Sequence, residues 1–236
     1  MLVQEQLLRL YAERGYAVRT GCGLAGGGDM LAEFTSLWSA GQRLEHDWAP
    51  SLAELSVLEM LSQVWSPERI FCIGTGFGWT MMALRLFLPK AFLTGIDPGA
   101  GGGDPLAGIR LTNEMLLAAG GGEVIHGRSP DAVPAAVENL LDGSVNLAFI
   151  NTREAAQQER DFRAVQPYLA RDHVVLFHGV RFSNVMDGFH AIAKPYADRA
   201  AVLDRTTSGI GILYSPTMKY RMERLRSVFA QGALVP

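Results

Sequence analysis

The sequence predicts an α/β fold in which a doubly wound, mostly parallel seven-stranded sheet ends in an antiparallel hairpin and follows a helical N-terminal extension. From residue 70 onward, short apolar runs alternate with longer segments whose apolar residues recur every three or four positions. Strands separated by helices indicate a parallel sheet, and uninterrupted apolar runs such as Leu147 to Ile150 suit strands buried on both faces. The turn-rich stretch Asp204 to Gly209 lies between two further apolar runs and predicts the terminal hairpin.

The individual elements follow from these patterns. The predicted strands are Ile70 to Ile73, Phe92 to Ile96, Glu123 to Ile125, Val145 to Ile150, Val174 to Phe177, Ala200 to Leu203 and Ile210 to Tyr214. The predicted helices of the sheet region are Thr80 to Phe87, Ile109 to Ala119, Pro134 to Leu140, Glu154 to Leu169 and Val185 to Tyr196. Ser51 and Glu54 form a capping-box pattern, so a further helix is expected to run from there to about Val64.

Residues 1–50 are predicted to be an N-terminal helical extension that serves as a lid or an oligomer contact, and residues 51–236 to be one domain. Val3 to Gly15 has helical spacing of apolar residues, and Phe34 to Leu44 is predicted as a second short helix. The glycines between Gly21 and Gly28 are expected to break regular structure.

Composition limits the classes of function. The chain has 236 residues, 48% of them hydrophobic, and a net charge of -3, so a single large core is expected and nucleic acid is not an expected partner. Cys22 and Cys72 have neither disulfide nor zinc spacing, which fits a reducing cytoplasm. No run approaches the length of a membrane span. We therefore expect a cytoplasmic protein that acts on a small molecule, with a homodimer as a possible assembly.

The most informative segment runs from Ile70 to Asp97 and predicts a βαβ nucleotide-binding unit. A glycine loop, Gly74-Thr75-Gly76-Phe77-Gly78, separates the first strand from its helix. Glycines allow the backbone to approach a ligand closely, and a helix N-terminus offers unpaired N–H groups. An acid that ends the next strand, here Asp97, can accept both hydroxyls of a ribose.

The positions of the glycines in this loop distinguish between the possible nucleotide cofactors. A dinucleotide fingerprint needs a glycine where this chain has Trp79, which argues against NAD and FAD. A P-loop needs a lysine, whereas this chain reads Gly78-Trp79-Thr80, which argues against ATP and GTP.

Gly-x-Gly-x-Gly followed by an acid at the end of the next strand resembles the S-adenosylmethionine site of class I methyltransferases, whose fold is Rossmann-like. The segments Val145 to Asn151, Gln166 to Leu169 and Val174 to Val180 extend this resemblance to small-molecule O-methyltransferases of the catechol and caffeoyl-CoA type and their looser bacterial relatives. The resemblance covers about Ser51 to Tyr214. It implies S-adenosyl-L-methionine as the cofactor.

The resemblance also implies roles for particular residues. The loop residues Gly74, Thr75, Gly76 and Gly78 would lie under the methionine part of the cofactor, and Asp97 would hold the ribose. Ser129 would lie beside the adenine, with Arg128 stacking on it, and Asn151 would end its strand near the sulfonium. These implied cofactor-binding residues are Gly74, Thr75, Gly76, Gly78, Asp97, Arg128, Ser129 and Asn151.

Departures from the family pattern are informative as well. The acid that the family often places two residues before the first glycine is Cys72 here, and Glu54 is a candidate replacement for binding the cofactor's ammonium group. The metal-binding positions of the metal-dependent branch correspond to Asn151, His178 and Gly179, which make a poor magnesium site, so no metal is expected.

The lysine base of that branch is replaced by Glu154, which leaves His178 as the candidate base because it ends a central strand and its ordinary pKa is near neutral. A structural histidine is the competing interpretation. Two hypotheses follow. The first is a metal-independent methyltransferase that O-methylates a small hydroxylated molecule. The second is a catalytically impaired relative that binds the cofactor or a partner.

Overall fold

The computed structural model describes residues 2–25, 30–44, 49–99, 104–206 and 208–230. A small antiparallel sheet near the N-terminus contains β1 (Ala17–Ala25), β2 (Met30–Ser39) and β3 (Gln42–Arg43). The strands of the large sheet are β4 (Arg69–Ile73), β5 (Phe92–Asp97), β6 (Glu123–His126), β7 (Val145–Ile150), β8 (Leu169–His178), β9 (Ala200–Leu203) and β10 (Ile210–Tyr214). The helices are α1 (Val3–Ala12), α2 (Leu52–Val64), α3 (Trp79–Phe87), α4 (Ala107–Ala118), α5 (Val133–Leu140), α6 (Ala155–Val165), α7 (Ser183–Ala193) and α8 (Lys219–Phe229).

The large sheet confirms the predicted fold class. Its strand order is β6-β5-β4-β7-β8-β10-β9. The neighbours from β6 to β8 pair in parallel, whereas β10 is antiparallel to both β8 and β9, as the predicted terminal hairpin requires. Most bounds agree with the prediction to within two or three residues. There are two exceptions. The predicted helix Glu154 to Leu169 ends earlier, as α6 at Val165, and a short 3-10 turn follows it. The predicted strand Val174 to Phe177 begins earlier, because β8 starts at Leu169.

The core explains why these apolar runs form strands. Every residue of β7 is buried, and alternate residues of β4 belong to the hydrophobic clusters on opposite faces of the sheet. Ile70 and Cys72 pack on one face, and Phe71 and Ile73 on the other. A strand that is covered on both faces needs apolar residues at every position, which is the pattern seen in the sequence.

The prediction of a helical N-terminal extension was only partly correct. The first helix is present as α1, but Phe34 to Leu44 is not a helix because β2 and β3 occupy it, and β1 runs through the first predicted glycine break to Ala25. The register pairs Ala17 with Trp38 and Ala25 with Met30. Backbone hydrogen bonds between these consecutive antiparallel strands stabilise the sheet, and the spacing of apolar residues within one strand does not encode them.

The extension packs directly against the domain behind the glycine loop. The Tyr11 hydroxyl donates to the Phe77 carbonyl at 2.8 Å, and the Trp79 indole N–H donates to the Pro50 carbonyl at 2.9 Å. The rings of Tyr11 and Trp79 lie 5.7 Å apart. The bulky residue at position 79 therefore faces the extension. The domain boundary at residue 50 stays a prediction.

The C-terminal helix α8 was not predicted. It packs against α2 and buries Met222 and Leu225. Within the described ranges, every helix is too short or too polar to serve as a membrane span.

Candidate active site

The site lies where the order of the parallel strands reverses. β4 has β5 on one side and β7 on the other, so the loops that follow β4 and β7 leave the sheet next to each other. Crevices at such switch points bind ligands in open α/β sheets. Here the crevice is a cavity of about 500 Å³, within the range of small-molecule sites.

The glycine loop forms the floor of this cavity. Gly74, Gly76 and Gly78 have φ values of 78°, 53° and 86°, in the left-handed region that favours glycine. A Cβ atom at Gly74 would lie 2.4 Å from the Asn151 carbonyl oxygen. The backbones that follow β4 and β7 are therefore in direct contact, and a side chain at position 74 would push them apart.

Asp97 connects the floor to the side wall. Its Oδ2 accepts the backbone N–H groups of Thr75 and Gly76, both at 2.7 Å, and its Oδ1 accepts that of Gly99 at 2.8 Å. The Thr75 hydroxyl also lies 3.5 Å from Oδ2. A carboxylate offers about four acceptor positions, so only Oδ1 has room for one further donor. Asp97 lines the cavity, where it fixes the loop and still offers acceptor capacity to a ligand.

Another part of the cavity wall carries polar atoms without partners. Among the described residues, the Ser129 hydroxyl, the Thr152 hydroxyl and Oδ2 of Asp161 are buried and have no partner in hydrogen-bond geometry, although the Ser129 hydroxyl lowers the pKa of Asp161. All three residues line the cavity, whereas the other such atoms, on Arg14, Arg85 and Gln158, lie elsewhere. Polar groups are therefore available at this wall.

The structure brings most of the predicted cofactor residues together. Those that line the cavity are Gly74, Gly76, Asp97, Arg128, Ser129 and Asn151. Thr75 and Gly78 do not line it. Thr75 is buried, and a Cβ atom at Gly78 would meet the Thr112 hydroxyl at 2.4 Å. These two residues shape the loop from behind and allow α4 to pack closely.

His178 is not part of the cavity wall. Its side chain has no exposed surface, and both ring nitrogens have partners: Nδ1 lies 3.0 Å from Asn151 Oδ1, and Nε2 lies 3.1 Å from Glu54 Oε2. The Ser208 hydroxyl donates to Glu54 Oε1 and lies 3.2 Å from His178 Nε2. The remaining donor to Glu54 is the Ser51 backbone N–H at 2.9 Å. His178, Glu54, Ser208 and Asn151 form what we call the closed cluster.

The predicted replacement of the missing acid is not found. Glu54 lies in the closed cluster, away from the cavity wall, and does not substitute for an acid at Cys72. Burial raises the pKa of Glu54, but the charge of His178 and the hydrogen bonds from His178, Ser208 and the Ser51 backbone together hold it below its ordinary value. Burial raises the pKa of the Cys72 thiol well above its usual range, so this side chain is neutral.

Sequence reasoning missed several residues of the wall. Gln157 and Asp161 project from α6, and Arg43 and Leu44 come from the end of the small N-terminal sheet. Asp161 had a usable signal, because it lies on the buried stripe of α6 with Gln158, Phe162 and Val165. A charged residue at such a position is unusual. No local pattern indicated Arg43 or Leu44.

Comparison with known proteins identifies the domain. Residues 71–180 match the model of a family described as a methyltransferase domain. This segment of the chain is therefore similar to methyltransferase domains. The matched range begins in β4 and ends just after β8, so it includes the glycine loop, Asp97, Ser129 and Asn151. The methyl donor of class I methyltransferase domains is S-adenosylmethionine.

Solved structures with the same fold are O-methyltransferases of low sequence identity. An O-methyltransferase from Bacillus cereus, solved with S-adenosylhomocysteine, has a TM-score of 0.58 and 17% identity over 72% of this chain and 84% of that one. TomG from Streptomyces achromogenes, solved with S-adenosylmethionine, has a TM-score of 0.55 and 18% identity over 72% and 82%. A TDP-rhamnose 3'-O-methyltransferase of calicheamicin biosynthesis has a TM-score of 0.54 and 20% identity over 68% and 77%. No curated protein sequence matches the chain significantly.

Proposed function

We propose that this protein binds S-adenosylmethionine in the cavity and transfers its methyl group to a hydroxyl of a small molecule. The observation that carries the proposal is the meeting of the glycine loop, Asp97 and Asn151 on one cavity at the switch point. Trp79 packs behind the loop in place of the glycine that a dinucleotide site needs.

The cavity suits this cofactor chemically. The Asp97 carboxylate has acceptor capacity for one ribose hydroxyl at Oδ1, and the loop backbone at Gly74 and Gly76 lets the methionine part lie close to the sheet edge. The unpaired hydroxyls of Ser129 and Thr152 would gain partners from a polar ligand. We place Asn151 beside the sulfonium because its strand ends next to the loop.

The acceptor molecule would bind in the same cavity as the cofactor. The cavity is also lined by Arg43 and Leu44 of the N-terminal extension and by Arg153 after β7. The cofactor supplies an electrophilic methyl group. The task of the protein is to hold the acceptor oxygen in line with that group, and proximity and orientation alone account for large rate enhancements. A hydroxyl acceptor is proposed because the structurally similar proteins are O-methyltransferases.

We assign His178 a positioning role. A general base must reach the proton that it removes, directly or through one water, and the His178 ring is enclosed with both nitrogens engaged. His178 instead contacts Oδ1 of Asn151 and so restricts the orientation of a side chain whose residue lines the cavity.

We also propose that the reaction needs no metal. Asn151 and His178, which correspond to ligand positions in the metal-dependent branch, are hydrogen-bonded to each other. Across the described parts of the chain, no group of three or more His, Cys, Asp or Glu side chains has a metal-binding arrangement. If the proposal is correct, turnover persists after treatment with EDTA; loss of turnover that Mg²⁺ restores contradicts it.

Transfer of labelled methyl from S-adenosylmethionine to a panel of catechols, phenols and sugar nucleotides tests the function. We expect turnover with at least one acceptor class. Asp97→Ala should weaken S-adenosylhomocysteine binding by about 100-fold or more, because charge-assisted bonds to the ribose are lost. Asp187→Ala, which removes an exposed acid on α7, is the matched control and should bind normally. Binding without turnover on any acceptor favours the catalytically impaired alternative.

A further inference from the structure

The exposed part of the cavity wall carries more positive than negative charge. Among the described residues that line the cavity and are exposed, the charged ones are Arg43, Arg128, Arg153 and Glu154. The other two acids of the wall are buried, where Asp97 accepts backbone N–H groups and Asp161 accepts the Gln157 amide. The whole chain has a net charge of -3, so three arginines at one cavity do not reflect a basic composition.

Arg153 lies close to the part of the cavity where methyl transfer is proposed. It follows Asn151, which we place beside the sulfonium, by two residues, and both residues line the cavity. The Asn184 side-chain amide donates to the Arg153 backbone carbonyl at 2.6 Å, so the loop after β7 is fixed to the start of α7. Arg153 is therefore held near the methyl group that the acceptor must approach.

Arg43 reaches the cavity from the N-terminal extension. Ala40 and Gly41 join β2 to β3 with φ values of 49° and 77°, as in a tight two-residue hairpin turn. The Leu44 N–H then donates to the Leu37 carbonyl at 2.8 Å. This hairpin sets the position of Arg43 on the wall. The residues proposed for the cofactor all come from the large-sheet domain, so Arg43 is available to the acceptor.

Arg128 belongs to the nucleoside end of the cavity instead. The Gly127 N–H donates to the Asp97 carbonyl at 2.9 Å, and Arg128 follows Gly127 directly. A cofactor whose ribose is bound by Asp97 lies next to this loop. Arg43 and Arg153 are then the two arginines that the acceptor can use.

We propose that the acceptor is an anionic hydroxylated molecule and that Arg43 and Arg153 bind its carboxylate or phosphate group. A planar guanidinium group donates two parallel hydrogen bonds to either of these anions. S-adenosylmethionine has a sulfonium and an ammonium group against one carboxylate, so it adds positive charge to this cavity, and an anionic acceptor balances that charge. This inference rests on the proposed function and names the chemical class of its substrate.

Calorimetric titration of the protein saturated with S-adenosylhomocysteine, at low ionic strength, tests the inference with two matched pairs of compounds. One pair is protocatechuate, which carries a carboxylate, and its neutral amide. The other is rhamnosyl phosphate and rhamnose. In at least one pair, the anion should bind about 10-fold or more tightly than its neutral partner, as expected for two charge-assisted contacts near the surface. Raising NaCl to about 0.5 M should reduce this preference, because salt screens exposed charges.

The contribution of each arginine is measured by replacing it with an uncharged residue. Arg43→Gln and Arg153→Gln should each reduce the preference for the anion to about threefold or less, and the double variant should bind both members of a pair about equally. Binding of S-adenosylhomocysteine should change by less than about twofold in these variants, since neither residue is assigned to the cofactor. Arg163→Gln, the same change at an exposed position on α6 outside the cavity, should keep the full preference.

The outcomes separate this inference from the proposed function. Preference in the carboxylate pair alone or in the phosphate pair alone identifies which anion the arginines accept. Equal affinity within both pairs, no binding of any of the four compounds, or full preference in the double variant overturns the inference and leaves the cofactor site intact. Failure of the intact protein to bind S-adenosylhomocysteine overturns the proposed function itself.

Discussion

The two sides of the switch point differ in how completely their polar groups are paired. On the cavity side, Ser129, Thr152 and Asp161 carry buried atoms without partners in hydrogen-bond geometry in the described structure, and all three residues line the cavity. On the other side, in the closed cluster, both nitrogens of His178 and both oxygens of Glu54 are engaged. Unpaired buried groups cost stability and persist where a ligand completes them. The comparison therefore assigns binding to the cavity side and positioning to the closed cluster.

The largest effect is expected at Gly74, where the two sides touch. Gly74→Val introduces a side chain at a left-handed φ and a Cβ atom 2.4 Å from the Asn151 carbonyl oxygen. We expect a loss of about 4 kcal/mol or more in the free energy of unfolding, measured in urea, and no measurable binding of S-adenosylhomocysteine. Gly143→Val is the control, because it also has a positive φ but no atoms near its Cβ position, and should lose about 1–2 kcal/mol.

Removing one partner of the closed cluster should separate stability from binding. Glu54→Ala leaves His178 buried without its carboxylate and should lower the free energy of unfolding by about 3 kcal/mol. We expect the affinity for S-adenosylhomocysteine in the folded variant to fall by less than about 10-fold, since Glu54 does not line the cavity. Glu59→Ala, on the same helix, is the control and should change stability by about 0.5 kcal/mol or less. A stable Glu54→Ala protein that has lost cofactor binding contradicts this division of roles.

Acid should weaken the closed cluster selectively. The pKa of Glu54 is lower in the folded protein than its ordinary value of 4.5, so its ionised form stabilises the fold above that pH, and this contribution is lost as the pH falls through the folded-state pKa. The stability difference between the natural protein and Glu54→Gln should therefore shrink below about pH 4.5. Urea unfolding of both proteins from pH 7 to pH 3 measures it. A difference that stays constant over this range would show that the charge of Glu54 is unimportant.

The smallest effect is expected at Asp161, on the cavity side. Burial raises the pKa of Asp161 above its ordinary 3.8, so its ionised form disfavours folding above the folded-state pKa, and this penalty disappears as the pH falls toward 3.8. Asp161→Asn should therefore be more stable than the natural protein at pH 7, by up to about 1 kcal/mol or 2–4 °C in Tm, and this gain should vanish near pH 4. Calorimetric unfolding measures both values. If Asp161→Asn is less stable than the natural protein at pH 7, Asp161 stabilises the fold, as the closed cluster does.

Local patterns in the sequence predicted the parts of the site that depend on local structure. The glycine loop, the capping box at Ser51 and the position of Asp97 each follow from a few adjacent residues, and the structure has all three. The strands of the large sheet could be predicted equally well, because a strand that is buried on both faces has an uninterrupted run of apolar residues in the sequence.

Two of the errors share a physical cause, which is dependence on contacts outside the segment that carries the pattern. The pairing of β1 with β2 overrode the local spacing that predicted a helix at Phe34 to Leu44. His178 was correctly placed at the end of its strand, but its enclosure depends on Glu54, 124 residues earlier. Asp161 lies on the buried stripe of α6, where only its charge distinguishes it from residues that pack in the core. A cytoplasmic location and a homodimer stay predictions.

A crystal structure of the protein with S-adenosylhomocysteine tests the central claim most directly. We predict that the ligand lies in the cavity at the switch point, with a ribose hydroxyl within hydrogen-bond distance of the Asp97 carboxylate and its sulfur beside Asn151. A ligand bound elsewhere, or one whose ribose has no contact with Asp97, would contradict it.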